Sequence, residues 1–238
     1  MAEHRVTELV ADAWKLGGRE SDTWPRSRYS GYALRPGELV VTIVVTRTGG
    51  FGHSHVVFEW YADEVPGPRT LQRRHEVYHL LPAYTDDEKQ QYRDRTEQLG
   101  RVSGGALLGI DRIRNLIRLA VSSRPGEVRT DTRHDYFPIA EGPSYYRSWA
   151  VPFDRGWAAR EAARQSCDAP PAFNLRSASG AMSCATYARD IVSRAGIQSA
   201  SALERVIGVD VPLAGSLGWN LVEAEDTAWQ RRDRQRTG

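Results

Sequence analysis

The stretch ELVVTIVVTRTGGFGHSHVVFEWY, residues 38–61, decides the fold of this chain. Its first part, 38–47, is β-branched and almost continuously apolar, which is typical of a strand that is covered on both faces. A glycine-rich turn follows, and HSHVVFEWY returns as a second strand. Because side chains alternate across a strand, the pattern predicts that His53 and His55 point to the same face of a sheet.

Further elements extend outward from this hairpin. HEVYHLLP (75–82) is predicted to be a third strand, and YYRSWAVPF (145–153) a short strand. Thr85, Asp154 and Ser183 have the positions and side chains of helix N-caps. Apolar periodicity and terminal glycines predict helices over residues 3–16, 85–100, 109–123, 154–167 and 183–196.

Length and composition are those of a globular protein. The 238 residues include 40% hydrophobic and 26% charged residues, and neither an internal repeat nor a linker divides them. We therefore expect a single α+β domain over residues 1–225, with a helical insertion at 85–123. Residues 226–238 are rich in arginine and are expected to form a charged, disordered tail.

Charge and hydropathy limit the expected partners. The formal net charge of +2 gives no global electrostatic argument for binding nucleic acid. No apolar run approaches the roughly 20 residues of a membrane span, so we expect no stable membrane insertion, and the first residues lack the pattern of a signal peptide. Two cysteines are too few for a disulfide scaffold. These features predict a soluble, cytoplasmic protein by default, with leaderless secretion left open.

Cys184 follows the predicted N-cap Ser183 and lies in the first turn of a helix. Unpaired N–H groups and the positive end of the helix dipole lower the pKa of a thiol at such a position. The alternative is a small buried residue without a chemical role, because unpaired cysteines are often buried. Cys167 has no comparable placement and is expected to be structural.

A thiol nucleophile needs a base within hydrogen-bonding reach, and that base is usually an imidazole oriented by a third polar group. The candidates are His53 and His55 on one predicted strand and His79 on the next. If the sheet packs on the helix that begins at Cys184, a histidine at the start of a strand is expected to face the first turn of that helix.

Three patches of the sequence resemble one known family. They are GHS (52–54) opening a strand, YHLLP (78–82) closing the next strand, and AFNLRSASGAMSCATYARDIVSRAGI (172–197) around the cysteine. Together they resemble the circularly permuted NlpC-type papain-like superfamily of cysteine hydrolases. This superfamily includes bacterial cell-wall amidases, secreted effectors and the lecithin retinol acyltransferase family. The residue before the cysteine is often asparagine in the family and is Ser183 here.

The resemblance implies a papain-like α+β fold, in which an antiparallel sheet packs on the helix that bears the cysteine. It implies that Cys184 is the nucleophile, that His53 is the general base, and that His79 orients the base. His55 competes with His53 for the role of base. The helix N–H groups at Ser183 and Cys184 would help to hold the oxyanion.

The resemblance also implies a class of reaction. Peptide, isopeptide or cell-wall amides are the expected substrates, and transfer of the acyl group to an acceptor is a second outcome. Neither a cofactor nor a metal is expected. If the chain is a secreted effector, export machinery or an immunity protein would be its partner.

Two other interpretations stay open at this point. His53, His55 and Glu59 form an HxHxxxE pattern, which in cupin-like barrels holds Fe, Mn or Zn. The long predicted helices are atypical of such a barrel. The second alternative is a catalytically inactive binding or scaffold domain, in which the three histidines are ordinary polar residues of a sheet.

Overall fold

The computed structural model describes residues 6–9, 25–48, 51–62, 72–103, 117–130, 144–177 and 179–197. The strands are β1 Thr7–Leu9, β2 Glu38–Thr48, β3 Phe51–Ala62, β4 Gln72–Pro82, β5 Gly126–Arg129 and β6 Ser144–Pro152. The helices are α1 Asp86–Ser103, α2 Phe153–Asp168 and α3 Cys184–Arg194, and a short helical segment covers 117–121.

The six strands form one sheet in the order β1-β6-β2-β3-β4-β5, and the described pairings are antiparallel. The predicted α+β class is therefore confirmed. The strands predicted at 38–47, 53–61, 75–82 and 145–153 are confirmed as β2, β3, β4 and β6. The expected domain limit at residue 225 and the tail at 226–238 lie outside the described residues.

β2 is central because it is apolar on both of its faces. Leu39 and Val41 point to one side of the sheet, Val40 and Val44 point to the other, and all four side chains are buried. Val41 lies opposite Phe58 of β3 in the register of the sheet. Each of these side chains contributes about 1.5–3 kcal/mol when it is buried. The apolar pattern of β2 thus accounts for its central place in the sheet.

Two helices cover one face of the sheet. The main hydrophobic core joins Val56 and Phe58 of β3 to Tyr187 of α3, and α2 packs beside them. Gly156 of α2 allows a close approach to β2, since a Cβ at this position would lie 2.9 Å from the Leu39 side chain. The helix that bears Cys184 therefore packs on the sheet, as the sequence predicts.

A turn over residues 25–34 covers part of the opposite face. The Leu34 N–H donates to the Pro25 carbonyl at 2.8 Å and closes this turn. Glu59 of β3 anchors it by accepting hydrogen bonds from the Ser27 hydroxyl and from the Arg28 N–H, the latter at 2.8 Å. Both faces of the central strands are consequently covered.

Several local predictions are wrong. Thr7–Leu9 is a strand and not part of a helix over 3–16, because it pairs with residues 148–150 of β6 at the edge of the sheet. Asp154 is not an N-cap: it lies in the first turn of α2, whose N-cap is Pro152 and has no side-chain hydrogen bond.

Two predicted helices also differ in their details. α1 starts after Thr85, as predicted, but it passes Gly100 and ends at Ser103. Of the predicted helix 109–123, residues 117–121 are helical and 122–123 are not, and residues 109–116 lie outside the described residues. There Leu119 is buried, whereas Ile117 and Val121, which the apolar stripe places inward, are exposed. None of the described helices is long and apolar enough to cross a membrane.

Candidate active site

A capping box closes the first turn of α3, which begins at Cys184. The Ser183 side chain accepts a hydrogen bond from the Thr186 N–H, and the Thr186 hydroxyl accepts one from the Ser183 N–H at 2.7 Å. The predicted N-cap Ser183 is therefore confirmed. The capping box does not use the N–H groups of Cys184 and Ala185, which belong to the same helix end.

The loop before α3 holds this cap in place. Ser177 Oγ accepts from the Ser183 N–H at 3.1 Å and hydrogen-bonds the Thr186 hydroxyl at 2.8 Å. Asn174, at the base of the loop, is buried, and its N–H donates to the Met182 carbonyl at 2.9 Å. Ser177 has φ +52°, a left-handed conformation that costs energy for a residue other than glycine. The hydrogen bonds of its side chain offset that cost and tie the loop to the cysteine helix.

β3 and β4 separate next to this helix end. Their ladder stops at Val56 opposite Tyr78, although the described residues of both strands continue beyond that pair. Residues 79–82 of β4 pair with β5 instead. We call the opening between residues 51–55 of β3 and residues 79–82 of β4 the β3–β4 gap.

Three imidazoles meet at the β3–β4 gap. His53 Nε2 and His79 Nδ1 lie 2.7 Å apart and are hydrogen-bonded, with 5.0 Å between the ring centroids. The centroid of His55 lies 6.3 Å from that of each of the other two rings. His55 and His79 are buried and His53 is half-buried. The structure brings the three candidate histidines together, and His53 and His79 are hydrogen-bonded to each other.

The imidazole side chains project from the face of the sheet that is opposite to α3. Val56 and Tyr78 belong to the core beneath α2 and α3, so the alternation of side chains turns His55 and His79 to the opposite side. The expectation that a strand histidine directly faces the first turn of the cysteine helix is therefore wrong for the paired part of the sheet. Beyond Val56 and Tyr78, the two strands that carry the rings are not paired with each other.

The Cys184 thiol lies in the first turn of α3, which packs on β3. It is half-buried. Burial raises the pKa of the Cys184 thiol, and the main-chain N–H groups of Ser54, Ala185 and Cys184 itself offset only part of the rise. Ser54 lies between His53 and His55 in β3, the segment that carries two of the rings. Because the thiol is protonated at neutral pH, it needs a base in order to react.

Glu59, the third member of the HxHxxxE pattern, serves a different purpose. Its side chain is 1% exposed and accepts the hydrogen bonds of Ser27 and Arg28 that anchor the 25–34 turn. The Arg73 guanidinium lies 3.7 Å from the same carboxylate. Within the described ranges, no group of three or more His, Cys, Asp or Glu side chains is arranged to hold a metal ion. Glu59 is thus part of the turn anchor, about 13 Å along an extended strand from His55.

The sequence alone did not identify three contributors to the site. Thr186 follows Ser183 at the spacing of a capping box, and this pattern is readable in principle. No pattern of neighbouring residues predicts the positions of Ser177 and of the Ser54 main chain, because these depend on how the loop and β3 lie relative to α3.

Cys167 lies in α2, where its Sγ is 3.8 Å from the Ala163 carbonyl oxygen, and both described cysteines are free thiols.

No protein-family model, curated protein or solved structure matches this chain. The site is therefore interpreted from its own geometry and chemistry.

Proposed function

We propose that this chain is a cysteine-nucleophile hydrolase or acyltransferase of the circularly permuted papain-like type. Cys184 is the nucleophile, His53 the general base, and His79 the residue that orients the base. The observation that carries the proposal is the 2.7 Å hydrogen bond between His53 and His79 at the β3–β4 gap, next to the strand on which the helix that begins at Cys184 packs.

The inter-ring hydrogen bond distinguishes the roles of the histidines. When His53 Nε2–H donates to His79 Nδ1, the Nδ1 atom of His53 carries no proton and is basic. His79 then fixes the orientation of the His53 ring and stabilises its protonated form, as the third member of a catalytic triad does. This arrangement favours His53 over His55 as the base, because His53 makes the short bond.

The reaction follows from these roles. The Cys184 proton passes to His53 as the sulfur forms a bond to the carbonyl carbon of an amide. The tetrahedral intermediate carries its negative charge on the former carbonyl oxygen. It collapses when the C–N bond breaks and His53 returns the proton to the leaving amine. Water, deprotonated by His53, cleaves the resulting thioester and releases a carboxylic acid; in an acyltransferase, an acceptor nucleophile takes the place of water.

An amide is the favoured substrate for a chemical reason as well as by resemblance. An amine is a poor leaving group unless it is protonated as it departs, and an imidazolium next to the thiolate supplies that proton. Peptide, isopeptide and cell-wall peptide bonds are the candidates within this class.

Alkylation with iodoacetamide tests the proposal without knowledge of the natural substrate. At pH 7 we expect one rapid label on Cys184, abolished in Cys184→Ala and retained in the matched variant Cys167→Ala. His53→Gln should slow labelling of Cys184 by about 100-fold or more, since a general base contributes at least that factor. A scaffold protein would label slowly and equally with and without His53. Inactivation by a chelator, together with a stoichiometric transition metal, would favour the HxHxxxE interpretation instead.

A further inference from the structure

Three imidazoles share a small space on the face of the sheet that is opposite to α3. His53 and His79 are hydrogen-bonded at 2.7 Å, and the centroid of the His55 ring lies 6.3 Å from that of each of them. His55 is 6% exposed and His79 is 1% exposed, so water screens charges on these two rings only weakly. The proposed mechanism uses His53 and His79 and gives His55 no role.

Mild acid would bring several positive charges into this space. An imidazole in water takes up its proton near pH 6.5. The His53–His79 pair can hold one extra proton, since a protonated ring donates and a neutral ring accepts. A second proton in the cluster places two positive charges at ring-centroid distances of 5.0 or 6.3 Å. Repulsion at such distances delays the second uptake by about one to two pH units.

The neighbouring strands bring a cation closest to the rings. In the register of the sheet, β2 places a valine and a threonine opposite the two histidines of β3, and neither residue is titratable. β5 places Arg129 opposite His79 and Glu127 opposite Leu81. Within the described strands, the nearest charge in register is thus that of Arg129, which opposes a further positive charge on His79.

The other charged groups on this face lie farther along the chain. Glu59 and His75 face each other in the paired part of β3 and β4, about 13 Å along the strands from the nearest ring. The Glu59 carboxylate anchors the 25–34 turn and has Arg73 at 3.7 Å. On the other face, α3 brings the Cys184 thiol, which is neutral when protonated. The charged or titratable side chains of the turn itself are Arg26, Arg28, Tyr29 and Tyr32.

The cluster lies where no ladder joins β3 to β4. Their pairing ends at Val56 and Tyr78 in the described part of both strands, and the His53–His79 hydrogen bond links the strands beyond that point. Protonation of both rings removes the acceptor and breaks this link. Repulsion between the rings then acts on residues 51–55 and 79–82, whereas β3 stays paired with β2 on its other side.

We propose that the three imidazoles form an acid-sensitive switch, which opens the β3–β4 gap when the cluster takes up more than one proton. With the gap closed, the cluster holds about one proton; with the gap open, each ring meets water and takes up its own. The open state binds more protons, so it is favoured as the pH falls below about 6.5, by about ten-fold per pH unit for each extra proton. The switch does not depend on the proposed function, since it needs no reaction at Cys184.

NMR titration of the protein from pH 7.5 to pH 4.5 tests the switch. The amide signals of residues 51–55 and 79–82 should change together in one acid transition, while those of β2, which is paired on both sides, keep their positions. In His55→Gln one of the charges is absent, and the midpoint of the transition should move down by about one pH unit. His75→Gln is the matched control, because His75 is exposed and belongs to the paired part of β4, and its midpoint should equal that of the wild type.

The ring signals of the wild type give a second measurement that needs no variant. The three cluster imidazoles should take up about one proton before the amide transition and the remaining protons during it. The switch is ruled out if the gap signals stay unchanged down to pH 4.5, if β2 changes with them, or if His55→Gln and His75→Gln have the same midpoint. Such a result leaves the proposed function standing, and a failure of Cys184 to react with iodoacetamide leaves the switch standing.

Discussion

His53 and His79 are joined by a hydrogen bond of 2.7 Å between Nε2 and Nδ1, across the place where their strands stop pairing. In such a contact one ring must donate and the other must accept. If both imidazoles were protonated on both nitrogens, neither could accept, and the hydrogen bond would break. The pair thus behaves as one unit that exchanges a single proton with its surroundings. Four of the five predictions below concern this pair, the Cys184 thiol or the segments that hold them.

Replacing His79 should show how much the orientation of the His53 ring contributes to the reactivity of Cys184. His79→Phe keeps a ring but removes the acceptor, and we expect alkylation of Cys184 at pH 7 to slow by about 10- to 100-fold, part of the total that a general base supplies. His79→Asn places a carbonyl oxygen near the position of Nδ1 and should recover most of the rate. Equal rates for the two variants would show that the hydrogen bond to His53 does not matter for thiol reactivity.

The pH dependence of alkylation should differ between the wild type and a variant without the base. Burial raises the pKa of the Cys184 thiol above its usual value of 9.0, so the thiolate fraction at neutral pH is very small in the absence of a partner. In His53→Gln the alkylation rate should therefore climb steadily above pH 9. In the wild type, transfer of the proton to His53 should give substantial reactivity near pH 7 and a much flatter profile. Stopped-flow alkylation from pH 5 to pH 10 measures both, and parallel profiles would contradict a role for His53.

Thr186 should stabilise the start of α3 through its hydroxyl group. That hydroxyl accepts from the Ser183 N–H and hydrogen-bonds Ser177 Oγ, so Thr186→Val removes these hydrogen bonds while it keeps the shape of the side chain. We expect a loss of about 1 kcal/mol in the free energy of unfolding, measured with urea, and recovery in Thr186→Ser. If the valine variant is as stable as the serine variant, the capping box contributes nothing to stability.

Glu76 should confer a stability that is lost in acid. Burial raises its pKa, but hydrogen bonds from Arg160 and Tyr78 outweigh this effect and the pKa of Glu76 is lowered from 4.5. A carboxyl group whose pKa is depressed by folding stabilises the native state above its unfolded pKa and loses this contribution as the pH falls through the folded value. Glu76→Gln should therefore cost about 2 kcal/mol at pH 7, the contribution of hydrogen bonds to a charged group.

The difference between the wild type and Glu76→Gln should shrink once the pH falls below 4.5. Urea unfolding at pH 7, 5, 4 and 3 tests this trend. Asp190→Asn is the matched control, because Asp190 pairs with the exposed Arg194 on one helix surface, and such pairs contribute little. If the loss in the free energy of unfolding of Glu76→Gln stays constant down to pH 3, the charged form of Glu76 is not the source of that stability.

Gly126 should not tolerate a side chain. A Cβ there would lie 2.0 Å from the Pro171 carbonyl oxygen and 2.9 Å from Leu80, so Gly126→Ala must push apart β5 and the segment that leads to α3. We expect a cost of about 3 kcal/mol in thermal or urea unfolding. Gly37 has φ +83° but open space around it, so Gly37→Ala should lose only about 1 kcal/mol from backbone strain. Similar stabilities for the two variants would mean that residues 126 and 171 have room to move apart.

Local sequence patterns were sufficient to predict the central strands of the fold and the N-cap of α3. The β-branched run of β2 and the alternation in β3 are strong because both strands are long and buried, and Ser183 was recognised as a cap because capping is a contact between near neighbours. The cysteine and the three histidines were found because few residue types combine nucleophilic and basic chemistry. The association of the three histidines at one place is what the structure adds.

The features that the sequence did not predict depend on distant parts of the chain. Thr7–Leu9 becomes a strand through pairing with β6, although its apolar spacing also suits a helix. The β3–β4 ladder ends at Val56 and Tyr78, and residues 79–82 pair with β5; no pattern within β3 or β4 reveals either limit. The side of the sheet on which the imidazoles emerge was predicted incorrectly, because it depends on which face α3 covers.

The order of the elements along the chain gives the protein an order of assembly. During synthesis, the β2–β3 hairpin and β4 leave the ribosome well before Cys184 emerges, so His53 and His79 can meet first. The chain between β3 and α3 spans most of the described residues, and long-range closures of this kind are late and slow steps. On the proposed function, a reactive thiol would thus arise only once the rest of the domain is complete.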